Sequence, residues 1–158
     1  KHDKIQYREN RDRVIRVSTG PRQVSMTGRR CNDGPNCLRG MRVLIAEDDW
    51  LLADTLAVLL EERGAQVVGP VPATSSAIRL LDNSEVDFAL VDMNLKDSFS
   101  DPLIDHLKSR HIPFAIITAY QALPTDAEDF AVVTLHKPVD HRQLFELLIQ
   151  HSGGSPAA

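Results

Sequence analysis

Short apolar runs alternate along the chain with longer segments in which apolar residues recur at helical spacing. Continuous apolar runs are typical of parallel strands that are covered on both faces, and the helical spacing is typical of amphipathic helices. The predicted strands cover residues 43–46, 66–68, 86–91, 114–118 and 132–135, and the predicted helices cover residues 49–63, 74–81, 101–110 and 140–150. Residues 121–129 are polar and predict a weak helix at most.

This alternation predicts an α/β fold with helices on both faces of a parallel sheet. Because crossover connections are right-handed, we expect a doubly wound, flavodoxin-like sheet of five strands in the order 2-1-3-4-5. Local signals set the boundaries of these elements. Gly64 ends the first helix, and Gly69-Pro70 and Pro72 close the second strand, which begins at residues 66–68. Thr74 is the predicted N-cap of the second helix, and Pro102 lies in the first turn of the third.

Residues 1–40 differ from the rest of the chain. They are polar and rich in Arg, with no apolar run, and this composition predicts a disordered extension. They carry ten Lys or Arg and four Asp or Glu, a net charge of +6, whereas residues 41–158 carry eight and eighteen, a net charge of −10. The predicted organisation is a basic extension over residues 1–40, one domain over residues 41–151 and a disordered tail over residues 152–158.

The acidic body argues against nucleic-acid binding by the folded part, because phosphate contacts need basic side chains. No apolar stretch approaches the ~18–20 residues that a membrane helix needs, and the first forty residues lack the apolar segment of a secretory signal. We therefore expect a cytoplasmic protein that binds neither nucleic acid nor a membrane.

Polar side chains follow the predicted strands at one edge of the sheet. Glu47 and Asp48 follow the first strand, Asp92 follows the third, Thr118 ends the fourth, and Lys137 comes just after the fifth. Each alone has a structural explanation, since acids at a helix start complement the helix dipole and a Lys-Pro pair is usual in a surface turn. Ligands of doubly wound sheets bind at this carboxyl edge, so the whole set favours a functional site.

This set of side chains suits phosphoryl chemistry. Clustered carboxylates repel one another unless a cation is bound, and Mg²⁺ prefers hard oxygen ligands. The carboxylate of Asp92 can act as a nucleophile and form an acyl phosphate. A metal ion and the ammonium of Lys137 would stabilise charge on the transferring oxygens, and the hydroxyl of Thr118 can donate a hydrogen bond to one of them.

Four stretches resemble the receiver domain of two-component response regulators: VLIAEDD at 43–49, FALVDMNL at 88–95, AIITAY at 115–120 and HKP at 136–138. The resemblance covers about residues 41–150. It implies that Asp92 is the phosphoacceptor, that Asp48 binds Mg²⁺ directly while Glu47 acts through water, and that the backbone carbonyl of Asn94 completes the protein ligands.

The resemblance also implies that Thr118 and Lys137 stabilise the phosphoryl group, and that the peptide bond between Lys137 and Pro138 is cis. Thr134 stands three residues before the lysine, where the family often has a Tyr or Phe that swings inward on phosphorylation. Tyr120 either replaces that moving aromatic or packs or faces solvent.

A receiver subgroup with the signature Pro-Phe-x-Phe-Ala-Thr-Gly-Tyr is similar to residues 113–120, although Ile117 and Ala119 depart from it. No DNA-binding or catalytic output domain follows the last predicted helix, so we expect output through protein contacts.

The leading hypothesis is a single-domain response regulator that receives a phosphoryl group on Asp92 from a sensor histidine kinase or phosphotransfer protein and signals to a downstream protein. An alternative is a receiver-fold binding module that is not phosphorylated. A phosphohydrolase would need a second acid/base aspartate where Asn94 stands, so we expect no enzymatic activity.

Overall fold

The computed structural model describes residues 36–97, 99–119 and 133–152. The strands in these ranges are β1 (Arg42–Ala46), β2 (Gln66–Val71), β3 (Phe88–Asp92), β4 (Phe114–Thr118) and β5 (Val133–His136), and the helices are α1 (Trp50–Glu61), α2 (Thr74–Asn83), α3 (Asp101–Ser109) and α4 (His141–Ser152). The sheet is parallel with the order β2-β1-β3-β4-β5, which confirms the predicted topology. None of the helices described is long and apolar enough to cross a membrane.

Both faces of the sheet are covered, as the continuous apolar strands predict. In β3, Phe88 and Leu90 belong to one buried cluster, with residues of α1 and α4. Ala89 and Val91 belong to the other, with residues of α2 and α3. Since successive side chains of a strand point to opposite faces, the single apolar run 88–91 supplies two cores.

The second strand continues through Gly69-Pro70, the first of the two points where the sequence predicts its end. Gly69 has a φ of +100°, a conformation that L side chains rarely adopt. The register between β1 and β2 shifts there, and Val71 pairs with Ala46. The predicted closure at Gly69-Pro70 is therefore wrong, because the glycine absorbs an irregularity and pairing resumes after it. The predicted closure at Pro72 is confirmed, since β2 ends at Val71.

A turn over residues 36–40 packs against the end of α1. Leu38 is fully buried and belongs to the core cluster shared with α1 and α4. Its backbone N–H donates to the carbonyl of Arg63 at 2.9 Å, and the N–H of Gly40 donates to the carbonyl of Gly64 at 3.3 Å. The sequence predicts a domain that begins at Met41, and in the structure Leu38 and, in part, Cys37 also pack against its core. The rest of the predicted extension lies outside the described residues.

Candidate functional site

The carboxyl edge of the sheet brings the predicted polar residues together. Glu47 directly follows β1, Asp92 is the last residue of β3, Thr118 is the last residue of β4, and Lys137 directly follows β5. The register pairs Asp92 with Ile117, the neighbour of Thr118. These side chains therefore share one edge, as expected for a doubly wound sheet.

Three carboxylates form a cluster at this edge. Glu47, Asp48 and Asp92 each offer an oxygen, and the three oxygens lie within 4.8 Å of one another. Glu47 is 1% exposed and Asp92 is 5% exposed, whereas Asp48 is exposed. Two of the three negative charges are thus held away from water, where repulsion between them is stronger.

Lys137 bridges the two buried carboxylates. Its Nζ donates to Asp92 Oδ2 at 2.6 Å and to Glu47 Oε1 at 3.0 Å. Burial alone would lower the pKa of Lys137, but the hydrogen bonds and charges of Asp92 and Glu47 outweigh it and raise the pKa. The ammonium is therefore charged at neutral pH. Its backbone N–H donates to the carbonyl of Thr118 at 2.9 Å, and the bond to Pro138 is cis as expected.

The buried setting of Glu47 disfavours the charged form of its carboxyl group. Burial raises its pKa to about 7, and the neighbouring charge of Asp92 adds to this, while hydrogen bonds from Lys137 and from the N–H of Asp49 act in the opposite direction. Its Oε1 accepts both of these bonds. Its Oε2 is buried with no hydrogen-bond partner among the described residues. One ammonium does not satisfy the cluster, and a buried oxygen atom remains for a further partner.

Asp92 is held by the loop that follows it. The N–H of Asn94 donates to Asp92 Oδ1 at 3.1 Å, and the hydroxyl of Ser100 donates to the Asp92 carbonyl. Ser100 is fully buried. Ser100 directly precedes α3, so its local sequence indicates an N-cap residue. The local sequence does not indicate its contact with Asp92, eight residues earlier in the chain.

The remaining predicted residues divide between described and undescribed parts of the chain. Thr118 is 1% exposed. Thr134 lies in β5, half-buried and paired with Ile116. Tyr120 and the predicted weak helix at 121–129 lie outside the described residues.

Asp97 has a structural contact that its sequence context does not indicate. Its Oδ1 accepts the N–H of Thr74 at 2.8 Å, and its Oδ2 accepts the N–H of Ser75 at 3.1 Å. The predicted capping by Thr74 is wrong: Ala73 is the N-cap residue and makes no side-chain cap bond. The cap comes instead from a carboxylate more than twenty residues further along the chain, which local patterns do not reveal.

A sequence profile of the response regulator receiver domain matches residues 43–149. Sensory transduction protein LytT of Bacillus cereus is 29% identical over 116 residues, which cover 68% of this chain and 46% of that protein. The chain thus spans less than half the length of the curated relatives it matches.

Solved structures agree with the profile. A CheY-like response regulator receiver domain from Methylobacillus flagellatus superposes with a TM-score of 0.65 at 25% identity, covering 70% of this chain and 98% of the other. The receiver domain of a sensor histidine kinase from Pseudomonas aeruginosa PAO1, solved with a magnesium ion coordinated in its active site cleft, has a TM-score of 0.63 at 23% identity and covers 73% of this chain and 99% of its own. The chain described here belongs to the response regulator receiver domain family.

Proposed function

We propose that this protein is a response regulator that accepts a phosphoryl group on Asp92 from a sensor histidine kinase or a phosphotransfer protein, and that it signals by contact with a downstream protein. One observation carries the proposal. The buried Asp92 carboxylate lies 2.6 Å from the ammonium of Lys137 and within 4.8 Å of carboxylate oxygens from Glu47 and Asp48. A nucleophile, a fixed cation and a candidate metal site thus share one pocket.

The transfer uses groups already in place. A carboxylate oxygen of Asp92 attacks the phosphorus of a phosphohistidine, and the new P–O bond makes an acyl phosphate. The P–N bond breaks, and its electron pair stays on the donor imidazole. Lys137 donates to the phosphoryl oxygens in place of the carboxylate that it contacts now, and the hydroxyl of Thr118 donates to another of them. Both stabilise charge in a buried setting.

The cluster fits a magnesium ion. Receiver domains bind Mg²⁺ at an acidic site, and the donors here are hard oxygens, as Mg²⁺ prefers. We propose that Asp48 and Asp92 bind the ion directly with the backbone carbonyl of Asn94, and that Glu47 acts through water. The unpartnered Oε2 of Glu47 supports this, because it leaves a buried acceptor for such a water. When bound, Mg²⁺ supplies positive charge beside the phosphoryl oxygens.

Exposed apolar side chains near the pocket support a role in protein contact. Trp50 is 77% exposed and Leu51 is 59% exposed, and both begin the helix after Asp48. Phe99 is 67% exposed in the loop after Asp92. Aromatic side chains are enriched in protein interfaces. We therefore propose that partner proteins dock at this edge, over the phosphorylation site.

Thr134 favours a second candidate, a receiver-fold binding module that is not phosphorylated. It lies half-buried in β5, opposite Ile116, at the position where the family often has the aromatic residue that moves on phosphorylation. A threonine has no ring to move, which supports this alternative. The subgroup signature around residues 113–120 likewise stays a prediction.

The test of the proposed function is incubation with acetyl phosphate and Mg²⁺ followed by intact-mass analysis. We expect a gain of one phosphoryl group that hydroxylamine removes, since hydroxylamine cleaves acyl phosphates. Asp92→Asn should abolish the gain. Asp101→Asn, which alters an exposed acid at the start of α3, is the matched control and should keep it. No gain in the unaltered protein would favour the binding module, and a gain in Asp92→Asn would move the site elsewhere.

A further inference from the structure

The end of β2 and the residue that follows it form a bridge between Glu47 and the loop that follows Asp92. At one end, the carbonyl of Val71 accepts the N–H of Glu47 at 3.1 Å. One residue later, the carbonyl of Pro72 accepts the N–H of Lys96 at 3.0 Å. The same short segment therefore contacts an acid of the cluster and the loop that follows Asp92.

Asp97 closes this bridge. Its two carboxylate oxygens accept the N–H groups of Thr74 and Ser75 at 2.8 Å and 3.1 Å. The pKa of Asp97 is lowered to about 2, mainly by hydrogen bonds from the backbone N–H and the side chain of Ser75. The carboxylate is therefore ionised at neutral pH, which is the form that accepts such bonds.

The part of the loop between Asp92 and Asp97 is closely connected to the site. The N–H of Asn94 donates to Asp92 Oδ1 at 3.1 Å, and Leu95 is buried in the core beside α2 and α3. A shift of Asp97 would act on Asn94 through only two intervening residues. An anchor at Asp97 is therefore well placed to influence the position of the Asn94 N–H and carbonyl.

A cap on α2 does not by itself require Asp97. Ala73, the N-cap residue, has φ −135° and ψ 139°, the extended conformation in which a Ser side chain caps its own helix. Here the cap is supplied from the loop after Asp92. The same two hydrogen bonds of Asp97 both cap α2 and anchor that loop. Mutation can separate the two roles.

We propose that Asp97 is a positioning residue for the acidic site, which fixes Asn94 against the Asp92 carboxylate by anchoring the loop to the start of α2. The inference rests on the proposed function for its consequence in metal binding and phosphorylation. Removal of partners behind metal ligands typically weakens metal affinity ~10–100-fold. Asp97 acts through two further residues, so we expect a smaller loss, about three- to tenfold.

The experiment separates the two roles with Asp97→Ala alone and in combination with Ala73→Ser, which provides a local cap. The first measurement is hydrogen exchange of the Asn94 amide by NMR without metal. The second is the Mg²⁺ dissociation constant from the same amide resonance. We expect Asp97→Ala to speed exchange on the order of tenfold and to weaken Mg²⁺ binding. Adding Ala73→Ser should restore the free energy of unfolding. It should restore neither the slow exchange of the Asn94 amide nor the Mg²⁺ dissociation constant.

Two controls make the result decisive. Asn83→Ala removes a contact with the Arg79 carbonyl at the other end of α2, and it should leave the Asn94 amide unchanged. Asp97→Asn retains the size of the side chain and replaces Asp97→Ala if that variant does not fold. Two outcomes would overturn the inference even in a protein that is phosphorylated. One is that Ala73→Ser restores the exchange rate of the Asn94 amide and Mg²⁺ binding, and the other is that Asp97→Ala changes neither. A missing phosphoryl gain would overturn the proposed function while the exchange measurement still decides the role of Asp97.

Discussion

Glu47 shows how the pocket combines burial with negative charge. Its carboxylate is almost fully buried and accepts one hydrogen bond from Lys137. The same ammonium also donates to Asp92, at a shorter distance. A carboxylate that shares its cation with another acid keeps part of its desolvation cost. This explains why the pKa of Glu47 is raised while that of Lys137 is raised as well. The pocket thus holds negative charge that a divalent cation would relieve.

This arrangement predicts a pH dependence of stability in metal-free buffer. The pKa of Glu47 rises from 4.5 to about 7 on folding, so the folded state holds a proton that the unfolded state releases between those values. Stability is then greatest below pH 4.5 as far as this group is concerned, and it falls as the pH rises through 7. Glutamine has no proton to lose in this range. We therefore expect the free energy of unfolding of Glu47→Gln, relative to that of the unaltered protein, to rise by about 1–3 kcal/mol as the pH rises from 5 to 8.

The measurement is chemical denaturation in EDTA at several pH values. Glu61→Gln alters an exposed acid on α1, and its difference from the unaltered protein should stay constant over the same range. A constant difference for Glu47→Gln would show that folding does not raise the pKa of Glu47.

Element by element, the sequence predicts the structure well where signals are local. The apolar runs mark all five strands, and the polar residues after them predict a site at the sheet edge where the structure brings them together. Local signals fail where a contact comes from far along the chain. The cap of α2 is the carboxylate of Asp97, and the hydroxyl of Ser100 reaches back to the Asp92 carbonyl. Neither contact follows from propensity or periodicity, because both depend on the tertiary fold.

The irregularity of β2 at Gly69 can be tested with two glycines. Gly69 has φ +100°, and a Cβ added there would lie 3.0 Å from the carbonyl oxygen of Ile45 and 3.1 Å from the nitrogen of Val71. Gly40 has φ +84° but nothing within 4 Å of an added Cβ. Gly40→Ala should cost about 1–2 kcal/mol from the left-handed backbone alone. Gly69→Ala adds contacts with backbone atoms that cannot move aside, and we expect about 2–4 kcal/mol.

Denaturant unfolding of both variants measures this difference. Similar losses for the two glycines would mean that β2 accommodates a side chain at its irregularity, and that the strand end is less fixed than its pairing with β1 suggests.

For the whole molecule, the sequence predicts the topology more directly than it predicts where the folded unit begins. Alternating strands and helices leave few right-handed arrangements, so the order of the strands follows from the pattern. The start of the domain does not, because residues 36–40 contain one large apolar residue in a polar, glycine-containing context. The composition of this segment is polar on average, whereas its packing depends on the single side chain of Leu38.

Leu38 provides the test of where the folded unit begins. It is fully buried in the core between the sheet, α1 and α4, and its N–H is bonded to the carbonyl of Arg63. Leu38→Ala would leave a cavity in that core, and we expect it to lower the free energy of unfolding by about 2–5 kcal/mol. Arg39→Ala, at the exposed neighbouring position, should change it by about 0.5 kcal/mol or less. Equal, small effects in denaturant titrations would place the start of the folded unit at Met41, whereas the expected contrast makes the turn part of the receiver core.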